Sequence, residues 1–128
     1  MDYHFSKTLS IPFDEAVERV TDELKKEGFG ILTQIDVRDT LKKRLNVDFR
    51  RYKILGDCNP YFAYEALQAE DKIGTMLPCN VIVQEKTGGT VELSAVDPVA
   101  SMQAIDNPML AKTAEQVRAR LKKVVESV

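Results

Sequence analysis

Cys58 and Cys79 are the side chains with the widest chemical reach in this sequence. A thiol becomes a nucleophile or a soft metal ligand only as its thiolate. Cys58 directly precedes Asn59-Pro60, a helix-start signal, and the free amides and dipole of a helix N-terminus favour an anion there. Cys79 follows Pro78 at the head of an alternating apolar run. Brought together by a sheet, the two would form a redox pair or supply two ligands to a soft metal. No CxxC spacing is present and His4 is the single histidine, so a tetrahedral zinc site would need carboxylates or a second subunit. The competing explanation is burial, since cysteine is among the most buried residue types, and it carries more weight. Asn59 and Asn80 lie beside the two thiols. Cys58, Asn59, Cys79 and Asn80 are therefore the expected ligand-binding group, with no catalytic residue, metal or cofactor assigned.

Three carboxylates, Asp36, Asp57 and Asp97, fall near predicted strand ends. One of them could do acid–base work if desolvated, although Asp97 before Pro98 reads more simply as a turn former. Asp36 reads as the residue preceding a helix. Asp57 beside Cys58 opposes thiolate formation. Lys42, Lys43, Arg44, Arg50, Arg51 and Lys53 face Asp48 alone, with Tyr52 among them. Such a run could hold phosphate or nucleic acid. A solvated helix and a charge-guarded edge strand account for it more economically. In Tyr61-Phe62-Ala63-Tyr64 the two tyrosines share a helix face and the phenylalanine points elsewhere. Met76, Met102 and Met109 add flexible apolar surface suited to core filling, a pocket or an interface. There is no Gly-rich phosphate loop, nucleophile elbow or HExxH helix.

The elements that must hold these groups are legible from periodicity. Tyr3 to Ile11 alternates as a first strand, and Pro12 ends it. Phe13, Ala16, Val17, Val20 and Leu24 recur at helical spacing, with acids early and Lys25-Lys26 late. Phe29 to Val37 predicts a second strand with Phe29, Ile31, Thr33, Ile35 and Val37 on one face and Leu32 as the exception. Asp39 can cap a short helix carrying Leu41 and Leu45. Arg51 to Gly56 predicts a third strand. Asn59-Pro60 and Asn107-Pro108 each place a cap before a first-turn proline, which predicts two helices. Cys79 to Glu85 and Thr90 to Val96, joined by Lys86-Thr87-Gly88-Gly89, predict an antiparallel hairpin. Leu110, Ala114, Val117, Leu121 and Val124 or Val125 form the buried stripe of the last helix.

The predicted order is β-α-β-α-β-α-β-β-α. The hairpin makes this an α+β domain, with an antiparallel sheet covered mainly on one face by the first and last helices. Length predicts a single domain over 1–128. Apolar residues are 44%, charged residues 30%, and the net charge is -2, which excludes a globally basic nucleic-acid binder. The N-terminus shows no basic segment followed by an apolar run, and no stretch is long enough to span a membrane. A cytoplasmic protein with reduced thiols is expected.

Several segments together resemble the uncharacterised prokaryotic family known as domain of unknown function 302. They are Gly28-Phe29-Gly30-Ile31-Leu32-Thr33, Ile35-Asp36-Val37, Thr40-Leu41-Lys42-Lys43, Tyr52-Lys53-Ile54-Leu55-Gly56, Cys58-Asn59-Pro60, Ala63-Tyr64-Glu65-Ala66-Leu67, Leu77-Pro78-Cys79-Asn80-Val81 and Ser94-Ala95-Val96-Asp97-Pro98. The resemblance covers roughly residues 3 to 126. It implies a curved antiparallel sheet backed by helices, in the TATA-binding-protein-like group, self-associated as a dimer, with no settled activity. It also implies a small residue at 57 and glycine at 46, where this chain has Asp57 and Asn46.

The expectation is a small homodimeric domain, more plausibly a binding module than an enzyme. It would take a small ligand or a partner near Cys58 and Cys79. The alternative is a thiol-dependent redox or metal-handling protein using the same residues. Nucleic-acid binding through residues 42–53 is the third and least favoured reading. Leu32, Leu55 and Ile82 are assigned to a sheet face that a second subunit would cover.

Overall fold

The computed structural model describes residues 2–128. Five strands, β1 (His4–Leu9), β2 (Gly30–Asp36), β3 (Tyr52–Cys58), β4 (Cys79–Glu85) and β5 (Val91–Val96), form one open sheet in the order β1-β5-β4-β3-β2. Every neighbouring pair is antiparallel. The helices are α1 (Phe13–Lys26), α2 (Val37–Leu45), α3 (Pro60–Ala69), the short α4 (Pro98–Ser101) and α5 (Pro108–Ser127), with a 3-10 turn at Ile73–Met76. The α+β class and the predicted element order hold, and α4 and the 3-10 turn are additions. Both lie in segments too short to show a period.

Strand alternation divides the sheet into two faces. Leu55, Val81, Val83, Leu93 and Ala95 point to one face, where α1 lays Phe13, Ala16, Val20 and Leu24 and α5 lays Val117, Leu121, Val124 and Val125. These residues are nearly or fully buried. Each fully buried aliphatic side chain contributes about 1.5–3 kcal/mol before entropy is charged against it. On the opposite face the register aligns Ile35, Ile54 and Ile82 in one cross-strand row, continued by Ser94 and Ser6. Ile35 remains 47% exposed. Leu55, expected on this open face, lies on the core face instead, because strand alternation puts it with Val81 rather than with Ile82.

A second cluster lies beyond the strand ends. Ala66 of α3, Ile73, Met102 and Leu110 and Ala114 of α5 pack together, joined by Leu77, Val99 and Ile105. Two asparagines hold α3 in place. Asn59 accepts from the Phe62 N–H at 3.4 Å, capping α3, while its Nδ2 donates to the Glu27 carbonyl just past α1 at 3.2 Å. Asn107 accepts from the Met109 and Leu110 N–H groups, capping α5, and its Nδ2 donates to Ala69 at the end of α3 at 2.8 Å. Each cap thus also ties down the end of an earlier helix.

The predicted single face for β2 is wrong, because a bulge at Leu32 shifts the register between Ile31 and Thr33. Ile31 pairs with Asp57 on the core side, whereas Ile35 pairs with Ile54 on the open side. One extra residue in a strand turns the following side chains over. Asn46, where the family resemblance implies glycine, ends α2 in the left-handed region at φ 53°, a conformation asparagine tolerates better than most residues.

Close approach explains Gly56. A Cβ there would strike Thr33 Oγ1 and come within 2.9 Å of Pro78 Cγ. Gly56→Ala is expected to lower stability by about 1–3 kcal/mol. In urea unfolding this would appear as a lower midpoint with an unchanged slope.

Candidate functional site

A cavity of about 330 Å³ opens where the two clusters meet. Phe29, Phe62 and Val117 reach it from the main core, and Ala66, Met102, Leu110 and Ala114 from the second. Leu32 of the bulge, Ala63 and Leu67 of α3, and Leu77 and Pro78 ahead of β4 complete an almost wholly apolar wall. Asp57, Cys58, Asn59, Cys79 and Thr113 supply its polar atoms. Asn59 is already spent on the two bonds described above. The Thr113 hydroxyl lies 3.3 Å from the Met109 carbonyl and 3.4 Å from Glu65.

Asp57 is the anomaly. It sits near the end of β3 on the core side, opposite Ile31 on β2 and Cys79 on β4. Its side chain is 1% exposed, and neither carboxyl oxygen has a hydrogen-bond partner. Burial pushes its pKa up from 3.8 to about 7, with its own backbone N–H pulling weakly the other way. A charged carboxylate without a counterion is far costlier in such surroundings than a neutral acid. Near neutral pH this carboxyl is therefore divided between the two forms.

The other two strand-end acids have ordinary tasks. Asp36 caps α2 by accepting from the Asp39 N–H at 2.9 Å. Asp97 caps α4 through the Val99 and Ala100 N–H groups and is held by Arg118 Nε at 3.0 Å.

Cys58 and Cys79 both border the cavity, although strand alternation turns Cys58 away from the side that Asp57 and Cys79 share. Both are free thiols. Burial pushes the Cys79 thiol up to about 12, with Asp57 and then Cys58 adding to the effect. The Cys58 thiol is raised by burial and then by Asp57. Their environment thus favours neutral thiols. Among the described residues no three His, Cys, Asp or Glu side chains gather as a metal site. Asn80 pairs with Gly56, is exposed, and borders a neighbouring groove with Thr75, Met76 and Val96 instead of the main cavity.

The basic run is largely engaged. Lys42 pairs with Asp48, Lys43 with Asp39 and Arg51 with Asp14, at 3.2, 3.0 and 2.7 Å. Arg50 grips Gln84 Oε1 through two donors and lies over the Phe49 and Tyr52 rings. Phe62 is buried, whereas Tyr61 and Tyr64 are each 67% exposed beside Met109. Among the described residues no helix is long and apolar enough to cross a membrane.

The architecture and the cavity define a small α+β domain with an open five-stranded antiparallel sheet and one buried carboxyl in an apolar recess. This chain belongs to the family described as "Domain of unknown function DUF302", which matches residues 5–128. It is similar to a solved structure, an uncharacterized conserved protein DUF302 from Bacillus stearothermophilus. The two share 29% identity at a TM-score of 0.90, over 98% of this chain and 97% of that one. No curated protein matches.

Asp57 leaves a pH signature. The folded carboxyl keeps its proton up to about pH 7, whereas the unfolded one releases it near 3.8. The folded state then binds more protons across that window, so this group makes stability fall as pH rises from about 4 to 7. The loss is on the order of 4 kcal/mol at most. Asp57→Leu is expected to gain stability over the wild type progressively across that range, and the difference should level off above it. Urea midpoints measured from pH 4 to 8 test this.

Proposed function

We propose that this domain is a non-enzymatic binding module whose ligand is a small, mostly apolar molecule held in the cavity between β3, β4, α3 and α5. One observation carries the reading: a buried, unpartnered carboxyl in a cavity of about 330 Å³ with otherwise apolar walls. Buried polar groups in folded proteins are nearly always paired, and an exception beside an open cavity marks the place where a bound molecule would supply the missing partner. The volume is about twice that of a cavity able to take benzene. Cys58 and Cys79 border this space and Asn59 shapes it, while Asn80 lies outside it on the neighbouring groove.

A thiol-dependent redox or metal-handling role would draw on the same two cysteines, but their raised pKa values work against the thiolate that either role needs. Nucleic-acid binding has still less support, since three of the six basic side chains in its segment are paired with carboxylates.

Hexan-1-ol is a suitable first probe. It should raise the melting temperature of the wild type in a dose-dependent way, with about 2.7 kcal/mol of stabilisation at a hundred times its Kd. Ala63→Phe fills the space and should abolish the response while leaving the circular dichroism unchanged. A wild type that shows no shift at millimolar alcohol contradicts the reading.

A homodimer through the open sheet face is a second, compatible reading, favoured by the Ile35–Ile54–Ile82 row. The row carries no charge, so a two-fold contact would lay it on its own copy without burying an ion. Sedimentation equilibrium at micromolar concentration should give twice the 14.4 kDa chain mass. Ile54→Lys should return it to the monomer.

A further inference from the structure

We propose that the cavity selects a small alkyl- or arylammonium ion, with the Asp57 carboxylate as its counterion. This rests on the reading of the cavity as a ligand site and names the chemistry of its occupant. Charge and vacant hydrogen-bonding capacity both favour a cation. Asp57 is the one ionisable side chain among the lining residues besides the two cysteines. No lysine, arginine or histidine lines the cavity, so an anionic ligand would find no counter-charge and would face Asp57. The start of α3 offers little to an anion, since Pro60 has no N–H, the Asn59 side chain accepts from Phe62 N–H and the Asn59 carbonyl accepts from Ala63 N–H.

The groups facing Asp57 can be taken element by element. From β2 comes Ile31 and from β4 Cys79, whereas Cys58, next on its own strand, is turned to the other side yet borders the cavity. Phe62 and Ala66 of α3 and Leu110, Ala114 and Val117 of α5 contribute hydrocarbon, and Thr113 is engaged elsewhere. Asp97, beside the lining residue Pro98, is held by Arg118. An ammonium ion would give the carboxylate the partner it lacks, and its alkyl or aryl body would meet the apolar walls. The neutral thiol sulfurs would serve as weak acceptors for its remaining N–H groups.

The proton balance follows. The free protein holds Asp57 as a carboxylic acid below about pH 7. The ammonium ion enters with its own protons, the carboxyl proton leaves to solvent, and an ion pair remains. Ammonium binding should therefore release about 0.9 proton at pH 6 and about 0.1 at pH 8, and be about tenfold weaker at pH 6.

The experiment is isothermal titration of the full chain with hexan-1-amine, hexan-1-ol and hexanoate at pH 6 and 8, each in two buffers of different ionisation enthalpy. At pH 8 the amine should bind at least tenfold more tightly than the alcohol, and hexanoate most weakly. Asp57→Asn should remove the preference for the amine while the alcohol still binds. If that variant does not fold, the pH dependence and proton release of the wild type decide the matter alone. Amine and alcohol binding equally, or hexanoate binding best, would overturn the ammonium assignment and leave the cavity as a ligand site. Binding by none of the three would overturn both.

Discussion

Placing a carboxyl group in hydrocarbon sets the terms for the rest of this molecule. Asp57 lies where β3 leaves the sheet, between two apolar clusters that never fully merge. A neutral acid without a partner loses its hydrogen bonds to water, and an ionised one loses much more. For a domain whose net stability is typically about 5–15 kcal/mol, either loss is a sizeable fraction. The main core supplies the compensation. Every strand except β2 contributes buried side chains to it, and α1 and α5 close it with their apolar stripes. The open recess is tolerable because that core lies beside it and does not depend on filling it.

The recess persists because the elements around it are held from outside. α3 is tied at its start to the end of α1 through Asn59, and at its end to the start of α5 through Asn107. Those four helix ends are satisfied in pairs, so α3 cannot slide onto the sheet without breaking caps worth about 1 kcal/mol each. On the sheet side, the Leu32 bulge and the close packing of Gly56 under Thr33 and Pro78 set where β2 and β4 begin their pairing with β3. The space between α3 and the strand ends is thus a product of backbone constraints, with side chains lining what those constraints leave.

Much of the frame was legible in the sequence because it rests on period and on local chemistry. The stripe from Leu110 to Val125, the Asn-Pro starts and the Gly88-Gly89 hairpin each signal themselves within a few residues. Both glycines take positive φ, at 87° and 83°. The site was only half legible. Cys58, Asn59 and Cys79 do border one cavity, but Asn80 faces the next groove. The carboxyl that distinguishes the cavity was visible only as a strand-end acid. Its burial follows from a parity argument that was within reach: Leu55 and Asp57 are two apart, so a strand that buries one buries the other. The strand expected from the sequence ends at Gly56, one residue too soon for that inference. The bulge at Leu32 left one trace, the break in alternation at Leu32 itself, but a single apolar exception does not distinguish an extra residue from an exposed leucine. Nor does periodicity within α3 and α5 show that they meet each other beyond the sheet.

The contrast among the three strand-end acids bears most directly on why Asp57 is there. Asp36 and Asp97 each cap a helix, and removing either would leave backbone donors unpaired. Asp57 caps nothing, pairs with nothing, and occupies a place where leucine would fill space at no electrostatic cost. A carboxyl from which the free protein gains no pairing is the feature that the proposed ammonium ligand accounts for. In the proposed reading the cavity beside it, apolar and without a cation of its own, receives the missing partner with a ligand.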